Sequence, residues 1–260
     1  MSLPHHPLVR HLDLFSGIGG FALAARMVGG IETVGFCERD EWAWSVLNKN
    51  FPGIPIHNDV KTLSGNEYGR IDLITGGYPC QPFSVAGKQL GKNDDRHLWP
   101  EVRRIIEQCR PRWVLCENVA GHIELGLDEV LSELEAIGYS GRATVIPACA
   151  VDAMHRRDRV WIVAHANGER INRLCAGSGV ESQIATDQEQ PRNRWASEDW
   201  GHCRGQATPE TPRMANGLPG SVDRNRGLGN AIVPAVAAEI LRAMMAVDSL
   251  LPNSQDRVRR

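Results

Sequence analysis

The sequence contains no Cys-x-x-Cys pair and only seven cysteines, an odd number, among 260 residues. That argues against both a disulfide framework and a zinc knuckle, and it points to a reducing compartment. A membrane span is missing as well. The most apolar late segment, "IVPAVAAEILRAMMAVDSLL", is interrupted by Glu239 and Arg242, and the opening "MSLPHHPLVRHLDLF" has no apolar stretch behind a basic head. Charge of one sign is equally scarce, since the net charge is -2, so any surface for a polyanion must be local. No internal repeat is present. What remains, 42% hydrophobic and 23% charged residues, suits a soluble, cytoplasmic protein with one domain, or one large domain carrying a small appendage.

Through residue 164 short apolar runs alternate with helix-like stretches: "HLDLFS" then "FALAARMVGG", "ETVGFCE" then "DEWAWSVLNKNF", "IDLITGG" then "WPEVRRIIEQC", "RWVLCENV" then "GLDEVLSELEAIG". This rhythm predicts an α/β fold whose parallel sheet is covered by helices on both faces. "SGRATVIPACAV" and "DRVWIVAHA" follow with no helix between them, which predicts a hairpin-like end to the sheet. Residues 165–226 are rich in Gly, Asn, Arg and Pro and form a separate irregular region. Residues 227–251 return to order as a helix starting near Pro234, with Val236, Ile240, Met244 and Val247 at helical spacing, and 252–260 read as a tail.

Two stretches carry chemistry. "DLFSGIGGFALA" leaves a strand, turns through Gly17, Gly19 and Gly20, and enters an amphipathic helix, where backbone amides can approach a ligand closely. Gly17-x-Gly19-x-x-Ala22 satisfies a dinucleotide fingerprint, and Glu38, ending the second strand, can hold ribose hydroxyls. An adenosine-type cofactor follows, without saying which. Asp59, just past a short third strand, can face an adenine amine or simply stabilise a turn.

The second stretch is "GGYPCQPFS", which puts Cys80 at the C-terminal end of a parallel strand, where open α/β sheets bind ligands. Cys37, Cys109, Cys116 and Cys149 have apolar neighbours and are assigned to the core instead. Residues 85–97, with Lys88 and Lys92, suit a lid. One strand further, "RWVLCENV" ends in Glu117 and Asn118, and a carboxylate there is poorly solvated, which favours its protonated form. "MHRRDRVW" puts Arg157 and Arg159 two apart on a predicted strand, facing the same way. A thiolate, an acid able to donate a proton, and arginines suit a pyrimidine. Carbon 5 of cytosine becomes nucleophilic only when a thiolate adds to carbon 6 with protonation at N3.

In order along the chain, "DLFSGIGG", "GGYPCQPFS", "ENV", "RRDRVWIVA" and "GLGNAIVP" together resemble the DNA (cytosine-5) methyltransferases. The resemblance implies a Rossmann-like S-adenosylmethionine-dependent sheet with a small target-recognition region at 165–226. It implies that Phe15, Gly17 and Gly19 line S-adenosylmethionine, with Glu38 on its ribose, Asp59 near its adenine and Asn230 bracing the cofactor side. It implies that Cys80 attacks carbon 6, that Glu117 holds N3 and the exocyclic amine, and that Arg157 and Arg159 support the ring oxygen, the acid or a phosphate. No metal is required. The partner implied is double-stranded DNA with the target base swung out of the duplex, read by candidates among Arg192, Arg194, Trp195, Trp200, Arg204 and Arg213.

The pattern is broken at His155, where the family usually has glutamine, and at Met154, where proline is common. A cognate restriction endonuclease is a further candidate partner, a monomer is the default state, and the location is the cytoplasm or nucleoid. Two other readings stay open beside this one: an RNA cytosine-5 methyltransferase of the same fold, and a catalytically inactive DNA-binding relative. A nicotinamide oxidoreductase is more distant.

Overall fold

Side-chain alternation in the strands organises the molecule. In β4 (Leu73–Gly76), Leu73 and Ile74 are both fully buried, yet they point to opposite faces of the sheet and enter different cores. A run apolar on both faces needs helices on both sides. A computed structural model, which describes residues 8–79, 98–166 and 229–250, has that arrangement. Cys80, the 85–97 stretch with Lys88 and Lys92, the six candidate base-reading residues and the tail at 252–260 lie outside the described residues.

The seven-stranded sheet also contains β1 (Val9–Leu14), β2 (Ile31–Cys37), β3 (Ile56–His57), β5 (Trp113–Val119), β6 (Tyr139–Ile146) and β7 (Arg159–Ala166). Their order is β3-β2-β1-β4-β5-β7-β6. The first five are mutually parallel, β7 runs antiparallel to β5, and β6 pairs antiparallel with β7 as the hairpin-like end. β7 continues through His165 and Ala166, the first two residues of the stretch 165–226.

Leu12, Leu14, Ile74, Val114, Cys116, Val160 and Ile162 face one core, closed by α3 (Trp99–Cys109) and, after the short α4 (His122–Leu125), by α5 (Leu127–Ala136). Helix α3 has Pro100 in its first turn and buries Val102, Ile105 and Ile106 at helical spacing. The opposite face carries Leu73, Trp113, Leu115 and Trp161 against α1 (Gly20–Val28) and the last helix, α6 (Pro234–Leu250). Small residues meet here: Ala24 and Ala25 of α1, Ala237 and Ala238 of α6, all essentially buried. Small side chains let the two helices pack closely over the sheet. Among the described residues no helix is long and apolar enough to cross a membrane. Of the four cysteines assigned to the core, Cys37 and Cys116 are buried, whereas Cys109 and Cys149 are half-buried. Cys109 ends α3, where its thiol donates to the Gly65 carbonyl at 3.3 Å.

A polar chain crosses the α1/α6 face of the sheet. Thr75 Oγ1 donates to Asp13 Oδ1 at 2.7 Å, His11 Nε2 lies 2.7 Å from Thr75 Oγ1, and His11 Nδ1 lies 2.9 Å from Thr33 Oγ1. His11, Asp13 and Thr75 are fully buried. Burial pushes the His11 imidazole down to about 3 and the Asp13 carboxyl up to about 8, so at neutral pH the network carries little charge.

The signs have a measurable consequence. Native Asp13 keeps its proton between its ordinary 3.8 and about 8, so stability falls as pH rises through that window. Native His11 lacks a proton that the unfolded chain binds between about 3 and 6.5, so stability rises there. The two oppose each other up to about pH 6.5; above it only the Asp13 effect remains. The melting temperature should therefore drop between pH 6.5 and 8.5 in the wild type, and Asp13→Asn should flatten that drop. An equally steep drop in both proteins would show that Asp13 is not the group responsible.

Candidate active site

Three left-handed residues shape the turn between β1 and α1: Phe15 at φ 52, Gly17 at 51 and Gly19 at 86. For Phe15 this backbone is strained, and the surroundings hold it there. Ser16 N–H donates to the Cys37 carbonyl at 3.1 Å and Ser16 Oγ donates to the Asp13 carbonyl at 2.7 Å. Gly17 N–H donates to Glu38 Oε2 at 2.7 Å, while Glu38 Oε1 accepts from the amides of Arg39 and Asp40, each at 2.8 Å. The Glu38 carboxylate thus ties the glycine-rich turn to the end of β2. Its Oε2, which accepts only the Gly17 amide among these, keeps a second lone pair that a ribose hydroxyl could use.

Asp40 then caps α2 (Glu41–Asn50), accepting from the Trp42 amide at 2.8 Å and the Ala43 amide at 3.3 Å. The cap sets the start of the helix so that Trp42 borders the same space as Phe15 and Glu38. That space is a cavity of about 710 Å³ at the C-terminal edge of the parallel strands. Its walls include Phe15, Gly17, Glu38 and Trp42, then Tyr78 and Pro79 beyond β4, then Glu117, Asn118 and Arg159. Asn230 and Ile232, from the stretch leading into α6, complete it. A β-carbon on Gly20 would lie 2.6 Å from Ile232 Cγ1, so a side chain at Gly20 would displace that stretch.

Glu117 is 7% exposed at the end of β5, and Arg159 Nε on the neighbouring antiparallel strand is 2.8 Å from its Oε1. Burial raises the Glu117 carboxyl above its ordinary range; the charges of Arg159 and Arg157 pull it back. The result is a nearly dry carboxyl held on one oxygen by a guanidinium. Such a group can donate or accept a proton at an aromatic ring nitrogen placed against it.

Not every expected site residue reaches the cavity. Gly19 does not line it; its missing side chain makes room for Phe51, whose Cε2 would be 2.6 Å from a β-carbon there. Asp59 is not part of the wall, and its carboxylate accepts the Lys61 amide at 3.0 Å, as a turn aspartate does. Arg157 is not on a strand, contrary to the sequence expectation. It has φ 40, and β7 starts only at Arg159. The left-handed residue breaks the two-residue alternation on which the expected shared direction rested. Arg157 Nη2 instead donates to the carbonyls of Gly229 and Ala231, at 2.8 and 2.7 Å. His155 and Met154, where the family pattern is broken, are exposed.

Residues not foreseen also shape the site. Trp42 and Asp40 line the cavity; an aromatic two residues into the helix that follows a ribose-holding acid is the signal that would have found Trp42. Tyr78 is held from both ends: its hydroxyl lies 2.8 Å from His122 Nε2, and its carbonyl accepts from Asn118 Nδ2 at 3.1 Å. His122 has no recognisable sequence signal, because it becomes a neighbour of Tyr78 only when β4 and β5 pair.

Known proteins resemble this chain in sequence and fold. The family model described as C-5 cytosine-specific DNA methylase matches residues 9–216. The chain is 38% identical to Type II methyltransferase M.HgiCII of Herpetosiphon aurantiacus over 59% of its own length and 36% of that protein. It is 35% identical to Type II methyltransferase M.NgoMIV of Neisseria gonorrhoeae over 60% of its length and 51% of that protein. It therefore spans about half or less of these relatives. A crystal structure of a DNMT2 mutant from Spodoptera frugiperda superposes with TM-score 0.53 at 28% identity, covering 61% of this chain and 50% of that one. With the family model matching most of its length, the chain belongs to the C-5 cytosine-specific DNA methylase family.

Proposed function

We propose that this protein transfers a methyl group from S-adenosylmethionine to carbon 5 of a cytosine swung out of double-stranded DNA, through a transient bond to Cys80. The observation that carries the reading is one continuous cavity. Its wall joins a ribose-type acid and two aromatic faces (Glu38, Phe15, Trp42) to a buried acid–arginine pair (Glu117, Arg159) and to Pro79, the residue preceding Cys80 in sequence.

The residues present fit S-adenosylmethionine. Glu38 Oε2 has a lone pair for a ribose hydroxyl, Phe15 and Trp42 offer faces for a purine, and Asn230 adds a polar group from the stretch preceding α6. When bound, it supplies a methyl carbon electrophilic enough to be taken by an activated ring. The chain does the activation. The Cys80 thiolate adds to carbon 6 of the base while Glu117 passes its proton to N3, and the electron pair released into the ring makes carbon 5 nucleophilic. Arg159 holds Glu117 toward the ring. Once carbon 5 carries the methyl group, its proton leaves to a base, the carbon–sulfur bond breaks, and the thiolate is regenerated. Swinging the base out of the stack costs a few kcal/mol, which contacts in the pocket must offset.

The names of the curated relatives, Type II methyltransferases, support DNA as the substrate and a restriction-modification setting in which a cognate endonuclease is the partner. Expression in cells lacking DNA methylation, followed by sequencing that detects 5-methylcytosine, tests the proposal and reports the recognised sequence. Unmodified DNA, with methyl incorporation into an RNA pool instead, would overturn the choice of substrate.

A further inference from the structure

Arg157 occupies a place that the chemistry of the base does not explain. One of its terminal nitrogens donates to two backbone carbonyls, Gly229 O at 2.8 Å and Ala231 O at 2.7 Å, which are 72 and 74 residues away in sequence. Its backbone sits in the left-handed region at φ 40, a conformation that needs compensating contacts in a residue with a side chain. The carbonyls it holds flank Asn230, and Gly229 through Ile232 form one wall of the cavity. Ile232 presses on Gly20, at the start of α1, where a β-carbon would be 2.6 Å away. The far end of the same stretch is fastened separately: Asp248 Oδ1 accepts from Trp113 Nε1 at 3.0 Å, and Asp248 Oδ2 pairs with Arg112 at 3.1 Å. The near end is held by the two Arg157 bonds together with the packing of Ile232 and Val233. Two residues on, Arg159 holds Glu117.

We infer that Arg157 is a positioning residue for the cofactor wall: it latches the Gly229–Ala231 backbone so that Asn230 and Ile232 close the cavity beside the glycine-rich turn, and it joins that wall to the strand carrying the Glu117 partner. The inference rests on reading the cavity as the S-adenosylmethionine site. It assigns Arg157 a role on the cofactor rather than on the target ring. A guanidinium suits the task because one nitrogen can bond two carbonyls while the charge remains fixed at any working pH.

The test compares the full-length wild type with Arg157→Gln and Arg157→Lys. S-adenosylhomocysteine binding is measured by calorimetry, and steady-state methyl transfer is measured with S-adenosylmethionine varied. We expect Arg157→Gln to bind S-adenosylhomocysteine about tenfold more weakly and to raise KM for S-adenosylmethionine similarly, with kcat at saturation falling less than threefold. Arg157→Lys, whose ammonium can still reach a carbonyl, should recover part of the affinity. If both variants bind within twofold of wild type while kcat collapses, Arg157 acts on the base and the inference is wrong. If wild type itself binds no S-adenosylhomocysteine, the cofactor reading of the cavity fails first.

Discussion

Replacing Cys80 with serine should lower methyl transfer to DNA by at least about a thousandfold while S-adenosylmethionine affinity stays within about twofold of wild type. Carbon 5 of cytosine does not attack a methyl group at a useful rate until a nucleophile has added at carbon 6. A thiol titrating near 8.5 supplies some anion at neutral pH; a serine hydroxyl supplies essentially none. Of the residues proposed to hold the cofactor, Glu38 is fixed by the amides of Gly17, Arg39 and Asp40, and Trp42 by the Asp40 cap, so binding should survive. Tritium transfer to a DNA pool and calorimetric titration separate the two quantities. A duplex carrying 5-fluorocytosine at a recognition site should also trap the wild type through Cys80 and leave the serine variant free. Near-normal turnover in the variant would sink the covalent mechanism.

Glu117→Gln should reduce the rate by about a hundredfold or more, within the range for loss of a positioned general acid. The amide keeps the shape of the carboxyl and a carbonyl oxygen for Arg159 Nε, which now lies 2.8 Å from Oε1, so the strand pairing has no reason to fail. What the amide lacks is a proton to give. Burial raises the Glu117 carboxyl, with Arg159 opposing, so the protonated form persists to higher pH than in a solvated glutamate. Wild-type activity carried by that form should fall as pH rises through the raised value, and the glutamine variant should lose this dependence along with its rate. A variant within a few-fold of wild type, with an unchanged pH profile, would mean that N3 receives its proton elsewhere.

Both experiments concern residues visible in the sequence, and the reason is local. Cys80 and Glu117 stand at the ends of short apolar runs, and a polar group ending a parallel strand lies where α/β sheets open to ligand. The fold was legible for the same cause: apolar runs of strand length alternating with stretches of helical period leave few other topologies, and even the antiparallel end of the sheet followed from two strands with no helix between them. The expected strand placement of Arg157 failed because spacing of two implies a shared direction only within an extended strand, and a left-handed backbone there is not written in any neighbouring residue. Asp59 and Gly19 show the other limit, since the motif does not say that Asp59 also accepts the Lys61 amide or that Gly19 leaves room for Phe51.

The sequence by itself determined the α/β architecture and which strand ends carry reactive groups, because both depend on periodicity and short motifs read over a few neighbouring residues. Only the tertiary structure decided which of those groups share a cavity, that Arg159 rather than Arg157 holds Glu117, and that Arg157 reaches residues more than seventy positions away. It also decided that His11 and Asp13 stay largely uncharged in the interior, by removing water from both at once. Pairings of this kind arise from strand order and from the return of α6 onto α1, and no local stretch of sequence encodes them.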